Sequence, residues 1–427
     1  MRTIIVQAVA GEAHGVGPFA RHASLCRRVP RVTPLAGIRV LDFSKVLAGP
    51  LCAQWLGDLG AEVTKIEPPR GGDDTRGWPP FRGGVGAVFL SANRNKKSLA
   101  LDLKTEAGRD AARRMAAQAD VLIESYATGV ADRLGIGAEE MRALNPRLVY
   151  CSISGFGRTG PLKDGLGYDV ILQAFSGIMA MTGERGGGPA RSPFSPIDQS
   201  TGMNAFSGIL AALLERHRTG QGCRLEVSLF ETAAALLGYN FQIFWEKGSL
   251  PEKCGSGHES LCPYQAFDAA DRPVLIGIAN DNLWRRFTAG VERPELAEDP
   301  RFRTNADRVA NFAETVAVLQ AIVATRRADD WVEFCLRIGI PCAAVNTIAD
   351  MLAHPHMAAR GMVMDYDHPQ LGPLKTMAQP IQFDGRKRTV GSPPPMLGQH
   401  SAEALASYGF GADEIAGLRA AGALGTS

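Results

Sequence analysis

The stretch that decides the fold spans residues 37–67, GIRVLDFSKVLAGPLCAQWLGDLGAEVTKIE. Its opening segment, GIRVLDF, is rich in β-branched and apolar residues and predicts a strand, after which SKVLAGP turns the chain. Residues 51–60, LCAQWLGDLG, predict a helix that ends on glycine, and residues 61–67, AEVTKIE, predict a second strand that two prolines stop. Strand, helix and strand in succession form a βαβ unit, which implies a parallel sheet with a right-handed crossover.

The alternation of strands and helices continues as far as residue 230. The predicted helices lie at 104–120, 137–146, 200–219 and, leaving this layer, 230–247. The predicted strands lie at 121–125, 147–154 and 223–230. Thr105 is the expected N-terminal cap of the first of these helices. The chain is therefore expected to be an α/β protein built on a parallel sheet.

The pattern changes near residue 250. Residues 263–280 predict two strands around an Asp-rich turn, and the helical segments that follow lie at 282–290, 306–325 and 329–336. The predicted organisation is a disordered N-terminal extension (1–33), a large α/β domain (34–230), a linker helix (231–250), a small α+β domain (251–345) and a C-terminal return to the large domain (346–427). The extension is Arg-rich with Glu12 as its only acid, so a targeting segment is the alternative to a flexible extension or a misplaced start codon.

Composition disfavours several classes of protein. The 427 residues carry a net charge of +2 and no long basic run, so nothing indicates a nucleic-acid partner. No window of about 18 uninterrupted apolar residues predicts a membrane span. The cysteines form no C-x-x-C pair and no zinc-like cluster with histidine, so no metal site is predicted. This use of cysteine fits a reducing, cytoplasmic location.

The candidate catalytic group is Asp198, at the start of a predicted helix in SPIDQSTGM. Aspartate is a favoured N-cap, and Thr201 three residues on suits a capping geometry, so such an acid is more often a cap than a nucleophile. The two roles are compatible, because the positive end of a helix favours the charged form of a carboxylate and would keep it ionised. Asp169, in GLGYDVILQ, is a second candidate acid for which a local turn role is equally consistent.

Three loops are candidate ligand sites. FSKVLAGP (43–50) joins a strand end to a helix start, where open α/β sheets bind ligands. NRNKKS (93–98) clusters cations suited to a phosphorylated ligand, and GGDDTRGW (71–78) mixes glycine, acid and arginine. Each also has an ordinary interpretation, a plain connection for the first and a solvated surface loop for the others. The glycine fingerprint of dinucleotide-binding proteins is absent, which disfavours a dehydrogenase.

Several segments together resemble the class III CoA-transferases, the family that includes formyl-CoA transferase and CaiB-type enzymes. The segments that carry the resemblance are residues 37–78, LSANRNKKSLALDLK, VLIESYATGVADRLGIG, YCSISGFGRTGP, IDQSTGM and PPPMLGQH. They occur in the family's order across residues 35–400. The resemblance implies a Rossmann-like large domain and an interlocked homodimer in which two ring-like chains thread through each other.

The resemblance also implies site residues. Asp198 matches the acyl-accepting nucleophile of the family. The implied CoA contacts are Leu47, Ala48, Leu101, Asp102, Leu103, Lys104, Ser125, Tyr126, Ala127, Arg133, Tyr168 and Asp169. No permanently bound cofactor is implied, since a CoA thioester is itself a substrate. The chain departs from formyl-CoA transferase at Pro68, where that enzyme has a basic residue, and at 255–258 (GSGH), where it has a tetraglycine loop.

The implied reaction moves CoA from an acyl-CoA, expected to be succinyl-CoA, to a carboxylic acid, expected to be a dicarboxylate. It passes through an aspartyl mixed anhydride and an aspartyl-CoA thioester. Arg158, Arg185 and Arg191 are candidates for binding the distal carboxylate. Similar racemases of 2-methylacyl-CoA carry a histidine where this chain has Tyr168, and tyrosine, with a pKa of about 10, is a poor base. A racemase and a non-catalytic CoA-binding protein stay open as alternatives.

Overall fold

A computed structural model of the chain describes residues 33–387 and 391–425. The expected N-terminal extension therefore lies outside the described residues, apart from Thr33. The strands are β1 (Arg39–Asp42), β2 (Glu62–Glu67), β3 (Phe81–Arg82), β4 (Val85–Gly86), β5 (Lys96–Ala100), β6 (Val121–Glu124), β7 (Val149–Ser154), β8 (Arg224–Ser228), β9 (Tyr264–Asp268), β10 (Pro273–Gly277), β11 (Cys342–Ala344), β12 (Val363–His368) and β13 (Gly372–Met377).

The helices fill the intervals between these strands. They are α1 (Ala48–Asp58), α2 (Ala87–Ala92), α3 (Glu106–Ala116), α4 (Val130–Arg133), α5 (Ala138–Leu144), α6 (Asp169–Phe175), α7 (Ile178–Met181), α8 (Pro196–Thr219), α9 (Leu229–Leu237), α10 (Tyr239–Lys247), α11 (Asp281–Gly290), α12 (Glu295–Glu298), α13 (Asn305–Ala310), α14 (Phe312–Val323), α15 (Ala328–Ile338), α16 (Ile348–Ala353), α17 (Pro355–Ala359), α18 (Ser401–Ser407) and α19 (Ala412–Ala420). A short 3₁₀ helix covers Asp74–Gly77. Thr105 caps α3 as predicted, because its side chain accepts a hydrogen bond from the backbone N–H of Gly108.

A six-stranded sheet forms the centre of the α/β layer, and its paired strands are all parallel, as predicted. Its order is β5-β2-β1-β6-β7-β8. From β1 the sheet grows in one direction through β2 and β5, and the chain then returns to the other side of β1 and adds β6, β7 and β8. The strand order therefore reverses between β1 and β6. Ligands of such sheets bind beyond the carboxyl ends of the strands at the point of reversal. The topology therefore predicts a binding site where β1 and β6 end.

Helices cover both faces of this sheet. The core on one face contains Leu41 together with residues of α3, α5, α18 and α19. The core on the other face contains Val40 together with residues of α1, α8 and α9. These two consecutive residues of β1 belong to opposite cores because side chains alternate along a strand. Because both faces are covered, every residue of β6 and all but one residue each of β1 and β7 are buried.

Helix α8 packs tightly against α1, and Gly202 makes this packing possible. A Cβ atom added at Gly202 would lie 2.7 Å from the backbone oxygen of Ala48, the first residue of α1. A larger residue at this position would push the two helices apart. The close packing places the first turns of both helices side by side at the carboxyl edge of the sheet.

Three predicted segments differ from the structure. Lys96–Ala100 forms the edge strand β5, although the sequence around it indicated a loop. The long helix expected at 230–247 is two helices, because Gly238 between them has φ 46° and ψ −118°. The helix expected at 306–325 is also two helices, separated by Asn311 with φ −105° and ψ 42°.

Residues between β9 and β11 build a core of their own. The strands expected at 263–280 are confirmed as β9 and β10, which pair antiparallel and extend to β11. Trp284, Phe287 and Trp331 stack in this core, with ring centroids 6.5 Å and 6.1 Å apart. The C-terminal residues instead contact the edge of the parallel sheet, where the Gly425 N–H donates to the Ala100 oxygen at 3.1 Å. The predicted division into domains stays a prediction.

Candidate active site

A cavity of about 250 Å³ lies at the carboxyl edge of the sheet, where β1 and β6 end. The loops after β1, β6 and β7 line it together with the segment before α6 and the first turn of α8. The structure brings many of the predicted site residues together here: Leu47, Ala48, Ser125, Tyr126, Ala127, Tyr168 and Asp198. These residues are far apart in the chain, and the reversal of strand order is what unites them.

A second cavity of about 160 Å³ adjoins the first. Leu101, Asp102, Leu103 and Lys104 line it, so this predicted stretch lies beside the Asp198 cavity and not within it. Lys45 and Tyr126 line both cavities. Burial raises the pKa of Tyr126 to about 12, so its hydroxyl stays protonated and can donate a hydrogen bond.

Two predicted contact residues line neither cavity. Arg133 is exposed at the end of α4. Asp169 is buried, and its carboxylate points to protein groups: Oδ1 accepts from Gln173 Nε2 at 2.5 Å, and Oδ2 accepts from the backbone N–H groups of Ile197 at 2.8 Å and Asp198 at 3.0 Å. Asp169 therefore holds the first turn of α8 in place. A direct contact of either residue with CoA remains a prediction.

The expectation that Asp198 is the N-cap of its helix is wrong. The helix begins at Pro196 after Ser195, which has φ 51° and makes no side-chain cap, so Asp198 lies inside the first turn. The capping acceptor comes instead from Asp169, a residue of another helix. Because its own side chain is not needed to cap the helix, the Asp198 carboxylate can face the cavity.

The expectation that the helix end keeps Asp198 ionised is also wrong. Burial raises the pKa of the half-buried Asp198 to about 7, and the nearby carboxylate of Asp169 adds to the shift. No hydrogen bond to the Asp198 carboxylate from a described residue offsets these effects. A carboxylate with a raised pKa is more basic and more nucleophilic once it is ionised.

Buried ion pairs hold the loop that follows β1. Lys65 Nζ donates to the backbone oxygen of Ser44 at 2.8 Å and forms an ion pair with Asp73 Oδ2 at 2.9 Å. Asp73 Oδ1 accepts from the backbone N–H of Val46 at 3.3 Å. Val46 has φ 70°, which is strained for a β-branched residue. Burial lowers the pKa of Lys65, but the negative charges of Asp42 and Asp73 have the larger effect and raise it. Lys65 is therefore charged where it holds this loop.

In the two polar segments proposed as surface or phosphate-binding loops, three of the cations are buried and paired with acids. In NRNKKS, Arg94 is buried against Asp58, with Nη2 to Oδ2 at 2.6 Å, and Lys96 is buried against Asp42, with Nζ to Oδ2 at 2.8 Å. In GGDDTRGW, Arg76 is buried and pairs with Glu67, with Nε to Oε1 at 2.8 Å. These cations are structural because their charges are already neutralised inside the protein.

The three arginines suggested for a distal carboxylate are not free in the Asp198 cavity. Arg158 lines the cavity, but its guanidinium already donates hydrogen bonds to the Glu124 carboxylate, at 2.8 and 3.0 Å, and to the backbone oxygen of Tyr126, at 2.6 Å. Arg185 and Arg191 do not line it. The lysines that do are Lys45 and Lys163, which sequence reasoning missed. The available signal was the position of Lys45 in the loop after β1, within the segment 43–50 that the sequence marked as a candidate ligand site.

Glycines occur both within the Asp198 cavity and in two glycine-rich segments outside it, TGERGGGPARSP (182–193) and GSGH (255–258). Gly155 and Gly167 line the cavity, and a Cβ atom on Gly167 would lie 2.6 Å from the Gly155 Cα, so both glycines allow two loops to touch. The segment at 182–193 and the GSGH segment at 255–258 do not line the Asp198 cavity. Some residues of both instead line a third cavity of about 260 Å³.

The family model for CoA-transferase family III matches residues 35–401, a range that includes Asp198 and the loops that line both cavities. The chain belongs to this family. This family III CoA-transferase is 38% identical over 376 residues to a succinyl-CoA:glutarate CoA-transferase of Mus musculus, covering 87% of this chain and 86% of the relative. It is 36% identical over 383 residues to a succinate–glutarate CoA-transferase of Agrobacterium fabrum, covering 88% of this chain and 96% of the relative.

A solved structure supports the same conclusion for the fold. The crystal structure of a CAIB/BAIF family protein from Brucella suis has a TM-score of 0.79 and 36% identity, and the match covers 88% of this CoA-transferase and all of that chain. Within the described residues, no helix has both the length and the hydropathy needed to cross a membrane. Nor do those residues gather three or more His, Cys, Asp or Glu side chains that could hold a metal ion.

Proposed function

We propose that this CoA-transferase moves CoA from succinyl-CoA to a second dicarboxylate, with Asp198 as the catalytic nucleophile. The observation that carries the proposal is the placement of Asp198 in one cavity with the loops that follow β1 and β6. Those loops contain the predicted CoA contacts Leu47, Ala48 and Tyr126. A carboxylate in such a position meets the thioester end of a CoA molecule that lies along the edge of the sheet.

The proposed reaction begins with attack on the donor. An oxygen of Asp198 attacks the thioester carbonyl carbon, the C–S bond breaks, and CoA leaves as a thiolate. The thiolate then attacks the Asp198 carbonyl carbon of the mixed anhydride. The donor acid leaves as its carboxylate, and CoA becomes a thioester of Asp198.

The second half of the reaction reverses these steps with the acceptor. A carboxylate oxygen of the acceptor attacks the aspartyl thioester, and CoA leaves again as a thiolate. The thiolate attacks the acyl carbon of the acceptor, which releases the new thioester and restores the Asp198 carboxylate. Each activated acyl group is exchanged for another, so the sequence of steps needs no ATP. Because the anhydride would hydrolyse, the half-buried position of Asp198 also serves to limit water.

The choice of substrates rests on two lines of support. The mouse and Agrobacterium relatives carry names that pair a succinyl group with glutarate. Lys45 and Lys163 line the same cavity as Asp198, and these cations suit anionic substrates. Tyr168 lines the cavity and no described histidine does, which gives no support to the racemase alternative.

We also propose that the working form is a homodimer, interlocked as the resemblance implies. Helix α10 has no buried residue, and Tyr239 and Trp245 on it are 63% and 67% exposed. Exposed aromatic side chains of this kind are typical of an interface. Light scattering coupled to gel filtration would measure the mass directly, and a monomer at micromolar concentration would contradict the dimer. A cytoplasmic location is proposed as well, since the described cysteines are free thiols.

The decisive experiment offers a panel of acyl-CoA donors and carboxylic acids, with the product CoA esters identified by mass spectrometry. We expect succinyl-CoA with a C4 to C6 dicarboxylate to give the highest kcat/KM. Hydroxylamine should trap an adduct on Asp198, and Asp198→Asn, verified by mass to be free of deamidation, should lose roughly 10³-fold or more in kcat. Undiminished transfer by Asp198→Asn would refute the nucleophile, and deuterium uptake at the α-carbon of a 2-methylacyl-CoA would favour the racemase.

A further inference from the structure

The two cavities of the site meet at Lys45. The Asp198 cavity and the cavity beside residues 101–104 share the lining residues Lys45 and Tyr126. Their volumes of about 250 and about 160 Å³ are each smaller than the roughly 300–1,000 Å³ of pockets that enclose a drug-sized ligand. A CoA thioester is larger than such a ligand. It must therefore extend through both cavities and pass the side chains of Lys45 and Tyr126.

The order of chemical groups along CoA determines what lies at this junction. With the thioester at Asp198, the pantetheine arm fills the first cavity and the adenosine end reaches the second. The pyrophosphate links these two parts, so it lies where the cavities meet. We propose that the ammonium group of Lys45 binds the pyrophosphate of CoA, an assignment that rests on the proposed function.

The backbone around Lys45 is held on both sides. The N–H of Lys45 donates to Ser125 Oγ at 2.9 Å, which ties the loop after β1 to the loop after β6. The N–H of Ser44 donates to Asp42 Oδ1 at 3.0 Å, and that of Val46 donates to Asp73. These bonds fix the backbone from which the Lys45 side chain extends, which lowers the entropy cost of binding a phosphate at this position.

The charge of Lys45 is available to a ligand. Its only ion pair with a described residue joins Nζ to Asp74 Oδ1 at 3.8 Å, and the Asp74 side chain is 58% exposed. A long, solvated pair of this kind is weak, and a pyrophosphate carrying two charges competes with it readily. Lys104 and Lys163 each line only one of the two cavities, and Pro68, in the second cavity, carries no charge. Lys45 is thus the lysine that reaches both.

The test compares three donors that differ at the nucleotide end: succinyl-CoA, succinyl-dephospho-CoA, which lacks the 3′-phosphate, and succinyl-pantetheine, which lacks the pyrophosphate together with the adenosine. In Lys45→Met we expect kcat/KM to fall about tenfold to a hundredfold for the first two, which both contain the pyrophosphate. For succinyl-pantetheine, which has no phosphate, Lys45→Met and the wild type should be equal. Lys45→Arg should restore most of the loss. The matched control is Lys97→Met, since Lys97 is similarly exposed but pairs with Glu403 outside both cavities.

Three other kinetic outcomes contradict the assignment. An equal loss for succinyl-pantetheine would show that Lys45 acts at the thioester end or only stabilises the fold. No loss for any donor would show that Lys45 does not contact the substrate. A loss confined to succinyl-CoA would assign Lys45 to the 3′-phosphate. Calorimetric binding of CoA itself separates this proposal from the proposed function. If the wild type binds CoA more tightly than Lys45→Met but succinyl-CoA is no donor, the assignment of Lys45 stands and the donor is wrong.

Discussion

The carboxylate of Asp169 anchors the backbone of Asp198: its Oδ2 accepts the Asp198 N–H at 3.0 Å and the Ile197 N–H at 2.8 Å. One acid thus satisfies amide groups at the start of the helix that presents the other acid to the cavity. The same proximity adds a like charge that raises the pKa of Asp198, after the larger effect of burial. Asp169 therefore both positions the proposed nucleophile and raises its pKa.

The pH dependence of the reaction should report the raised pKa of Asp198. Below a pKa of about 7 the carboxyl is protonated and cannot attack, so kcat/KM for succinyl-CoA should fall about tenfold for each unit of pH below that value. Above it, kcat/KM should reach a plateau. Initial rates between pH 5 and 9, with the stability of the protein checked at each pH, measure this. A midpoint near 4 would show that the carboxylate is not desolvated in the free enzyme.

Asp169→Asn should shift that profile without removing the helix anchor. Asparagine keeps an oxygen that can accept the N–H groups of Ile197 and Asp198, but it removes the like charge. We expect the midpoint to move below 7, though not as far as 4, because burial is the larger cause of the shift. The same pH profile measures it. Asp164→Asn is the control, since Asp164 also lines the cavity but is not a cause of the shift, and an equal movement in that variant would contradict the assignment.

Replacing Asp198 by asparagine should stabilise the fold at high pH. The folded pKa is raised, so the ionised carboxylate destabilises the folded state at pH values above about 7, whereas below about 4 both states are protonated. We expect Asp198→Asn to raise the free energy of unfolding by roughly 1–3 kcal/mol at pH 8, with the gain declining as the pH falls from 7 toward 4. Urea unfolding at pH 8 and pH 5 measures both. A variant less stable than the wild type at pH 8 would mean that the carboxylate makes favourable contacts.

Gly202→Ala should disturb the site from a distance. The new Cβ atom would lie 2.7 Å from the backbone oxygen of Ala48, which cannot move without displacing the start of α1. We expect a loss of roughly 1–3 kcal/mol in stability and a lower kcat, because Asp198 and the loop after β1 would separate. The control is Gly208→Ala in the same helix, whose Cβ would meet only the end of the Leu225 side chain, at 2.8 Å. Equal effects of both variants on kcat would show that the α1–α8 contact does not position Asp198.

Much of the α/β layer follows from local sequence patterns. The βαβ unit at 37–67 appears as β1, α1 and β2, and Thr105 caps α3 as expected. The edge strand β5 escaped prediction because its Lys96 looks solvated in the sequence, while in the fold its charge is buried against Asp42. Whether a lysine faces water or a buried partner depends on a residue more than fifty positions away, and no local pattern contains that information.

The βαβ unit at 37–67, the strands β6 to β8 and the presence of an acid before STGM were already determined by the amino-acid sequence, because propensity and hydrophobic period act over a few residues. Tertiary structure alone decided which cations are neutralised, which acid caps α8, and that burial raises the pKa of Asp198 to about 7. These properties arise from burial and from charges that distant segments bring together. They exist only once the reversal of strand order between β1 and β6 has gathered the loops around one cavity.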